Sequence, residues 1–341
     1  MPEVTTVGLD LAKMVFQAHG ADATGRVVFR KTLRRSKVLE FFGQLSLCTV
    51  AMEACAGAHH WAREIGRLGH VVRLIPPSYV KPFVKRQKND SSDAEAICEA
   101  AQRPTMRFVA VKSEAAQASA AIFRTRDLLV RQRTQHINAL RGQLAEYGLV
   151  AAKGPSNLPR LVALIADATR WLPPPAKAML NVLLEMISIL DEQVKQLDRE
   201  IAQRAKTDDI PKRLMTIPGI GPITATAIAA LAPPAETFHK GRDFAAWLGL
   251  TPVQRSTGGK QKLGAVSKMG ERTVRRLLII GASSLVQQAT RRGAQPGSWL
   301  ASMLARKPRM LVIVALANKI ARTVWALLAR NDVYRAPAVA G

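Results

Sequence analysis

Cysteine is scarce in this chain of 341 residues: Cys48, Cys55 and Cys98 are the whole supply, and none falls in a CxxC pattern. That excludes a disulfide scaffold and a cysteine-rich zinc site, and it suits a reducing cytoplasm. Acid is scarce as well, with 25 Asp and Glu against 50 Lys and Arg. Long apolar runs are missing. Residues 277–286 are too few, and Lys319 interrupts 310–329, so no run reaches the roughly 18 residues of a membrane span. The opening MPEVTTVGLDLAK lacks the basic-then-apolar order of a signal peptide. The expectation is a soluble cytoplasmic protein of about two domains by length.

What is abundant is apolar content and positive charge. Hydrophobic residues make up 48% of the chain, which excludes disorder throughout. The net charge is +25, and residues 255–341 hold 16 Lys and Arg against two acids, Glu271 and Asp332. That stretch keeps strong apolar periodicity (LLIIGASSLV, MLVIVALANKIARTVWALLA), so it reads as a folded basic domain. A surface so positive repels itself unless a polyanion compensates. Nucleic acid is the expected partner.

The first hundred residues alternate strand and helix signals. Strands are expected at 4–10, 15–19, 26–33, 49–53 and 70–75. The second and third flank a Gly20–Gly25 turn and form a hairpin. Helices are expected at 36–45 with Ser36 as a possible N-cap, at 58–68, and at 90–103 with acids opening it. This order predicts a mixed α/β sheet. From about Ser113 the β signals vanish. Residues 114–147 and 176–206 read as two long amphipathic helices, the second with Met179, Leu183, Met186, Leu190, Val194, Leu197 and Ile201 at heptad-like spacing. They suggest an antiparallel, coiled-coil-like arm for oligomerisation. The expected division is 1–110, 111–208 and 209–341, the last mainly helical.

Four acids form the first chemical constellation. Asp10 in VGLDLAK and Glu53 in AMEACAG each end an apolar strand, and Asp90 and Asp93 share one side of a helix start in KNDSSDAEAI. Carboxylates converging at adjacent strand ends can hold two Mg²⁺ ions, with Mn²⁺ as a substitute. Such a pair serves both oxygens of a phosphodiester displacement. Gly219 and Gly221 in IPGIGPITATAIAAL resemble a helix-hairpin-helix turn, which offers backbone N–H groups to a phosphate; tight helix packing is the plainer alternative. The segment GLTPVQRSTGGKQKLGAVSKM sets Ser256 among Arg255, Lys260, Lys262 and Lys268, with Arg272, Arg275 and Arg276 close behind. Read from its residues, this loop is a phosphate grip before it is a catalytic serine, because nothing near it in sequence activates the hydroxyl.

The motifs GLDLAK, AMEACAG, KNDSSDAEAI, IPGIGPITA and GLTPVQRSTGGKQKLGAVSKMGERTVRRLL together resemble the DEDD transposases of bacterial insertion sequences. That family includes Piv-type invertases and bridge-RNA-guided recombinases, and the resemblance spans nearly the whole chain. It implies a RuvC-like (RNase H-like) N-terminal domain, a helical arm and a C-terminal transposase domain. It makes Asp10, Glu53, Asp90 and Asp93 the DEDD set. It also turns Ser256 into a nucleophile that forms a covalent serine–DNA intermediate. Further implications are DNA of the element and its target as substrate, a structured guide RNA, a homo-oligomer, and a bacterial, nucleoid-associated setting. The rival readings are a Mg²⁺-dependent, Holliday-junction-type RuvC-like endonuclease that uses water, and a non-catalytic nucleic-acid-binding protein.

Overall fold

The computed structural model describes residues 3–85, 90–168 and 170–336, except the side chains of Asp90 and Pro155. The chain divides into two compact units, Met1–Ala115 and Ala116–Gly341.

The first unit is built on five strands: β1 (Thr6–Asp10), β2 (Val15–Ala21), β3 (Val27–Arg34), β4 (Thr49–Glu53) and β5 (Val71–Ile75). Their order across the sheet is β3-β2-β1-β4-β5. The hairpin strands pair antiparallel with β1 and with each other, while β4 and β5 run parallel to β1. Four helices complete the unit: α1 (Val38–Gly43), α2 (Ala58–Arg67), the short α3 (Pro77–Val80) and α4 (Asp90–Ala101). Strand side chains alternate between faces, and each face has its own core. Val7, Leu9, Phe16, Val50 and Met52 pack with Val38, Phe42, Trp61 and Ile65 on the α1/α2 face. Ala51 and Ile75 pack with Ala96, Ile97, Ala100 and Ala101 of α4 on the other. A mixed sheet in this order, with helices on both faces, is the RuvC-like, RNase H-like arrangement. Ser36 is not the cap that the sequence suggested: a 3-10 turn over Arg35–Lys37 precedes α1, whose N-cap is Lys37.

The second unit opens with α5 (Glu114–Ala145), α6 (Leu158–Ala168) and α7 (Pro174–Thr207). Arg126 pairs with Asp198 at 2.5 Å and Arg133 with Asp191, so α5 and α7 run antiparallel. The expected stripe on α7 is partly rotated. Leu180, Ile187, Leu190, Val194 and Ile201 are buried, whereas Met186 is exposed. Helix α6 was not legible in the proline-rich 153–175; Pro159 is its second residue, where a missing N–H costs nothing. The remaining elements are α8 (Asp209–Leu214), α9 (Pro222–Leu231), α10 (Gly241–Trp247), β6 (Pro252–Gln254), β7 (Leu263–Val266), α11 (Arg272–Arg292), α12 (Trp299–Arg306) and α13 (Arg309–Arg330). The helices among them share a core that also takes in Ala120 and Phe123 of α5 and Ile201 of α7. The β6–β7 hairpin is a feature that the sequence had concealed. Among the described residues, α13 is the one helix long and apolar enough to cross a membrane, despite Lys319. Its Val312, Leu316, Ala317, Ile320 and Val324 are nevertheless buried in that core.

Candidate active site

Strand register puts the acids on one face. Gly8 lies against Ala94 and Cys98 of α4, so Asp10, two residues on, ends β1 on the α4 side. Ala51 packs with α4, so Glu53 ends β4 on that same side. Helix α4 crosses β1, and its first turn carries Asp90 and Asp93. The side chain of Asp90 lies outside the described residues. The fields agree with this geometry. Burial, and then the negative charge of Asp93, push the Glu53 carboxyl above its usual range. The Cys55 thiol is raised by burial, then by Glu53 and Asp10. A nearby negative charge opposes ionisation of its neighbour.

Glu95, two residues beyond Asp93, behaves in the opposite way. Lys85 binds it at 2.5 Å and Arg30 at 3.5 Å, and the Lys85 hydrogen bond holds its carboxyl below the usual range. Glu95 is a neutralised acid, while Glu53 faces another acid. Among the described residues, no group of three His, Cys, Asp or Glu is close enough to hold a metal ion. The donor types nevertheless fit a hard divalent cation: they are carboxylates, and Glu53, raised first by burial, also feels the negative charge of Asp93, which such an ion would offset.

One positioning residue had gone unnoticed in the sequence. Gly8 has no room for a β-carbon, because Cys98 N would stand 2.6 Å from it. The signal was the small residue two places before the acid in VGLD.

The glycines and cations of the second unit sort differently. Gly219 adopts φ +84°, and its carbonyl lies so close to Gly281 on α11 that a β-carbon there would stand 3.0 Å from Gly219 C. Gly221 is the N-cap of α9, with open space where a side chain would be. Arg275 donates to Leu248 O at 2.9 Å and Met269 O at 2.7 Å, and Arg276 pairs with Asp127. Those two guanidiniums hold the fold together. Arg255, Lys260, Lys262, Lys268 and Arg272 are exposed on or beside the β6–β7 hairpin.

Ser256 sits on the same hairpin, exposed, and its hydroxyl accepts from Gln254 Nε2 at 3.1 Å. Among the described residues, no carboxylate or imidazole hydrogen-bonds to it.

A sequence profile of DEDD transposases matches residues 7–149, and one of the IS116/IS110/IS902 transposase family matches residues 211–296. The "probable family 20 transposase" of Pseudomonas aeruginosa is 48% identical, covering 97% of this chain and 99% of its own. The chain belongs to the IS116/IS110/IS902 family of transposases. The transposase for insertion sequence element IS1328 of Yersinia enterocolitica is 40% identical over 98% of this chain and 99% of its own. That for IS1111A of Coxiella burnetii is 38% identical over 98% and 92%. A transposase is an enzyme that cuts and rejoins DNA. The covalent serine–DNA intermediate expected from the motifs is corrected by these findings. The profile named for the catalytic acids covers the acidic sheet and ends at residue 149, well before Ser256. Among the described residues, no carboxylate or imidazole hydrogen-bonds to Ser256, so none is placed to take its proton. Metal-assisted cleavage of the RuvC type is the better-supported chemistry.

Proposed function

We propose that this transposase cleaves DNA with water at the acidic end of its N-terminal sheet, where Asp10, Glu53, Asp90 and Asp93 would hold Mg²⁺ or Mn²⁺. The observation that carries this reading is the placement of Asp10 and Glu53 on the α4 face, with the Glu53 carboxyl raised by burial and then by Asp93. Divalent ions bound there would polarise the phosphate and lower the pKa of the attacking water. The chain's own part is to fix the acids on two rigid strand ends and one helix turn, so that the phosphate meets a preset geometry. Water adds to phosphorus and gives up a proton to solvent as the bond to the leaving sugar oxygen breaks, and that oxygen takes up a proton from solvent.

The exposed Arg255, Lys260, Lys262, Lys268 and Arg272 supply a sequence-independent grip on phosphates, with the open α9 N-terminus at Gly221 beside it in function. That grip suits element DNA and a structured guide RNA alike, and a setting at the bacterial nucleoid in the cytoplasm. Three segments then divide the work: 1–110 cuts, 111–208 assembles copies, and 209–341 holds nucleic acid. Exposed Val182, Met186 and Ile189 on α7 support the assembly role, because their spacing repeats a coiled-coil seam that the described residues leave uncovered.

The test is cleavage of element-end DNA by the full chain in Mg²⁺. Asp10→Asn and Asp93→Asn should each lower cleavage at least about 100-fold while leaving binding within about two-fold. Denaturing gels should show cut DNA free of protein. Cleavage that persists in chelator, or a protein–DNA adduct that survives denaturation, would overturn the reading.

A further inference from the structure

The second unit has an open groove of about 1250 Å³ between α12, α13 and the β6–β7 hairpin. Its apolar walls are unusually bare: Leu263 is 62% exposed, Met310 64% and Leu311 50%. Trp299 lines it, with the Lys319 ammonium 4.7 Å from its ring centroid. Polar groups of the walls are already committed to holding the groove open. Asn318 donates to Leu250 O and the Trp325 indole to Ala235 O, each at 3.1 Å. Lys319 and Arg322 remain at the lining, and among the described residues neither is in an ion pair. Among the described residues, no Asp or Glu lines the groove.

Charge decides between occupants. A membrane or an apolar protein segment would satisfy the walls and leave Lys319 and Arg322 desolvated without compensation. A nucleotide satisfies both requirements. Its base has a π-face for an aromatic wall, and its phosphates need cations. The β7 wall continues directly into the loop that carries Lys260 and Lys262, so positive potential leads from the hairpin into the groove.

We propose that this groove takes unpaired nucleotides of a single strand, a base against Trp299 and its phosphates on Lys319 and Arg322. The proposal rests on the reading of this unit as the nucleic-acid-holding part of the protein, and it adds a single-strand-specific site to the hairpin's general grip.

The experiment is equilibrium binding of the full chain to labelled oligonucleotides of one sequence, as single-stranded RNA, single-stranded DNA and duplex DNA. Trp299→Ala should weaken single-strand binding about ten-fold and duplex binding less than about two-fold. Trp299→Phe, which keeps a π-face, should recover most of the loss and separates stacking from misfolding. Lys319→Gln should flatten the single-strand salt dependence by about 0.7 in log–log slope. A larger Trp299→Ala loss on RNA names the guide as the source of the base, and a larger loss on DNA names the substrate. If the wild-type chain holds duplex and single strands but Trp299→Ala loses both equally, or neither, the groove proposal falls while the general grip stands. If the wild-type chain holds none of the three, both fall.

Discussion

A β-carbon on Gly8 would overlap the carbonyl oxygen of Ala94 and stand 2.6 Å from the backbone nitrogen of Cys98. Two residues after Gly8 comes Asp10; one residue before Ala94 comes Asp93. The closest approach of strand to helix therefore sits immediately beside the two acids. Gly8 is not in the left-handed region, so alanine meets no backbone objection there. The obstacle is steric alone. We expect Gly8→Ala to lift the start of α4, lower stability by about 1–3 kcal/mol, and cut cleavage far more than the melting temperature suggests. Thermal melts beside cleavage assays check this. Full activity in Gly8→Ala would show that α4's height is not set at this contact.

Gly219 and Gly281 make a comparable crossing in the second unit, with α11 lying against the Gly219 carbonyl. Gly281→Ala should destabilise that unit by at least about 2 kcal/mol, because both obstructing atoms are backbone. The same change should leave the salt dependence of nucleic-acid binding untouched if Gly219 serves packing. A reduced slope with normal stability would instead assign Gly219 to a phosphate.

Much of this was legible in sequence, for physical reasons. Residues 6–10, 49–53 and 71–75 are short, apolar runs with β-branched residues, so the strands and the two strand-end acids could be read directly. The hairpin at 252–266 could not. Its strands have three and four residues, are almost wholly exposed, and contain no alternation to read. The partners of Arg275 and Arg276 were likewise hidden: the fold ties one guanidinium to two carbonyls and the other to Asp127, far away in sequence. The serine expectation came from motif resemblance, and no local chemistry at Ser256 supports it.

The seam on α7 gives a prediction about assembly. Val182 is 59% exposed, Met186 38% and Ile189 49%, at successive spacings of four and three residues. Leu190, by contrast, is buried inside the chain, so charging it would test folding. Ile189→Glu should leave the monomer's helicity and melting nearly unchanged while shifting light-scattering mass toward one chain. A variant that keeps the wild-type mass would remove this seam from the interface.

The arm's ion pairs give a pH dependence whose sign can be worked out. Asp191 is bound by Lys195 at 3.0 Å and by Arg133, and the Lys195 hydrogen bond leads in holding its carboxyl below the ordinary 3.8. A depressed carboxylate contributes stability that is present above its unfolded value and lost as pH falls through its folded value. The contribution is therefore complete at pH 7 and should fade below about pH 4. Because Asp191 is partly solvent-exposed, it should be worth less than about 1 kcal/mol. Asp191→Asn removes the charge at every pH. Its melting temperature should lie below wild type at pH 7, and the two curves should converge as pH approaches 3. Parallel curves across that range would mean that the Asp191 pairs contribute nothing that depends on its ionisation, and that the antiparallel register of α5 and α7 rests on Arg126–Asp198 and on the apolar packing of Leu140, Leu144, Leu180 and Ile187.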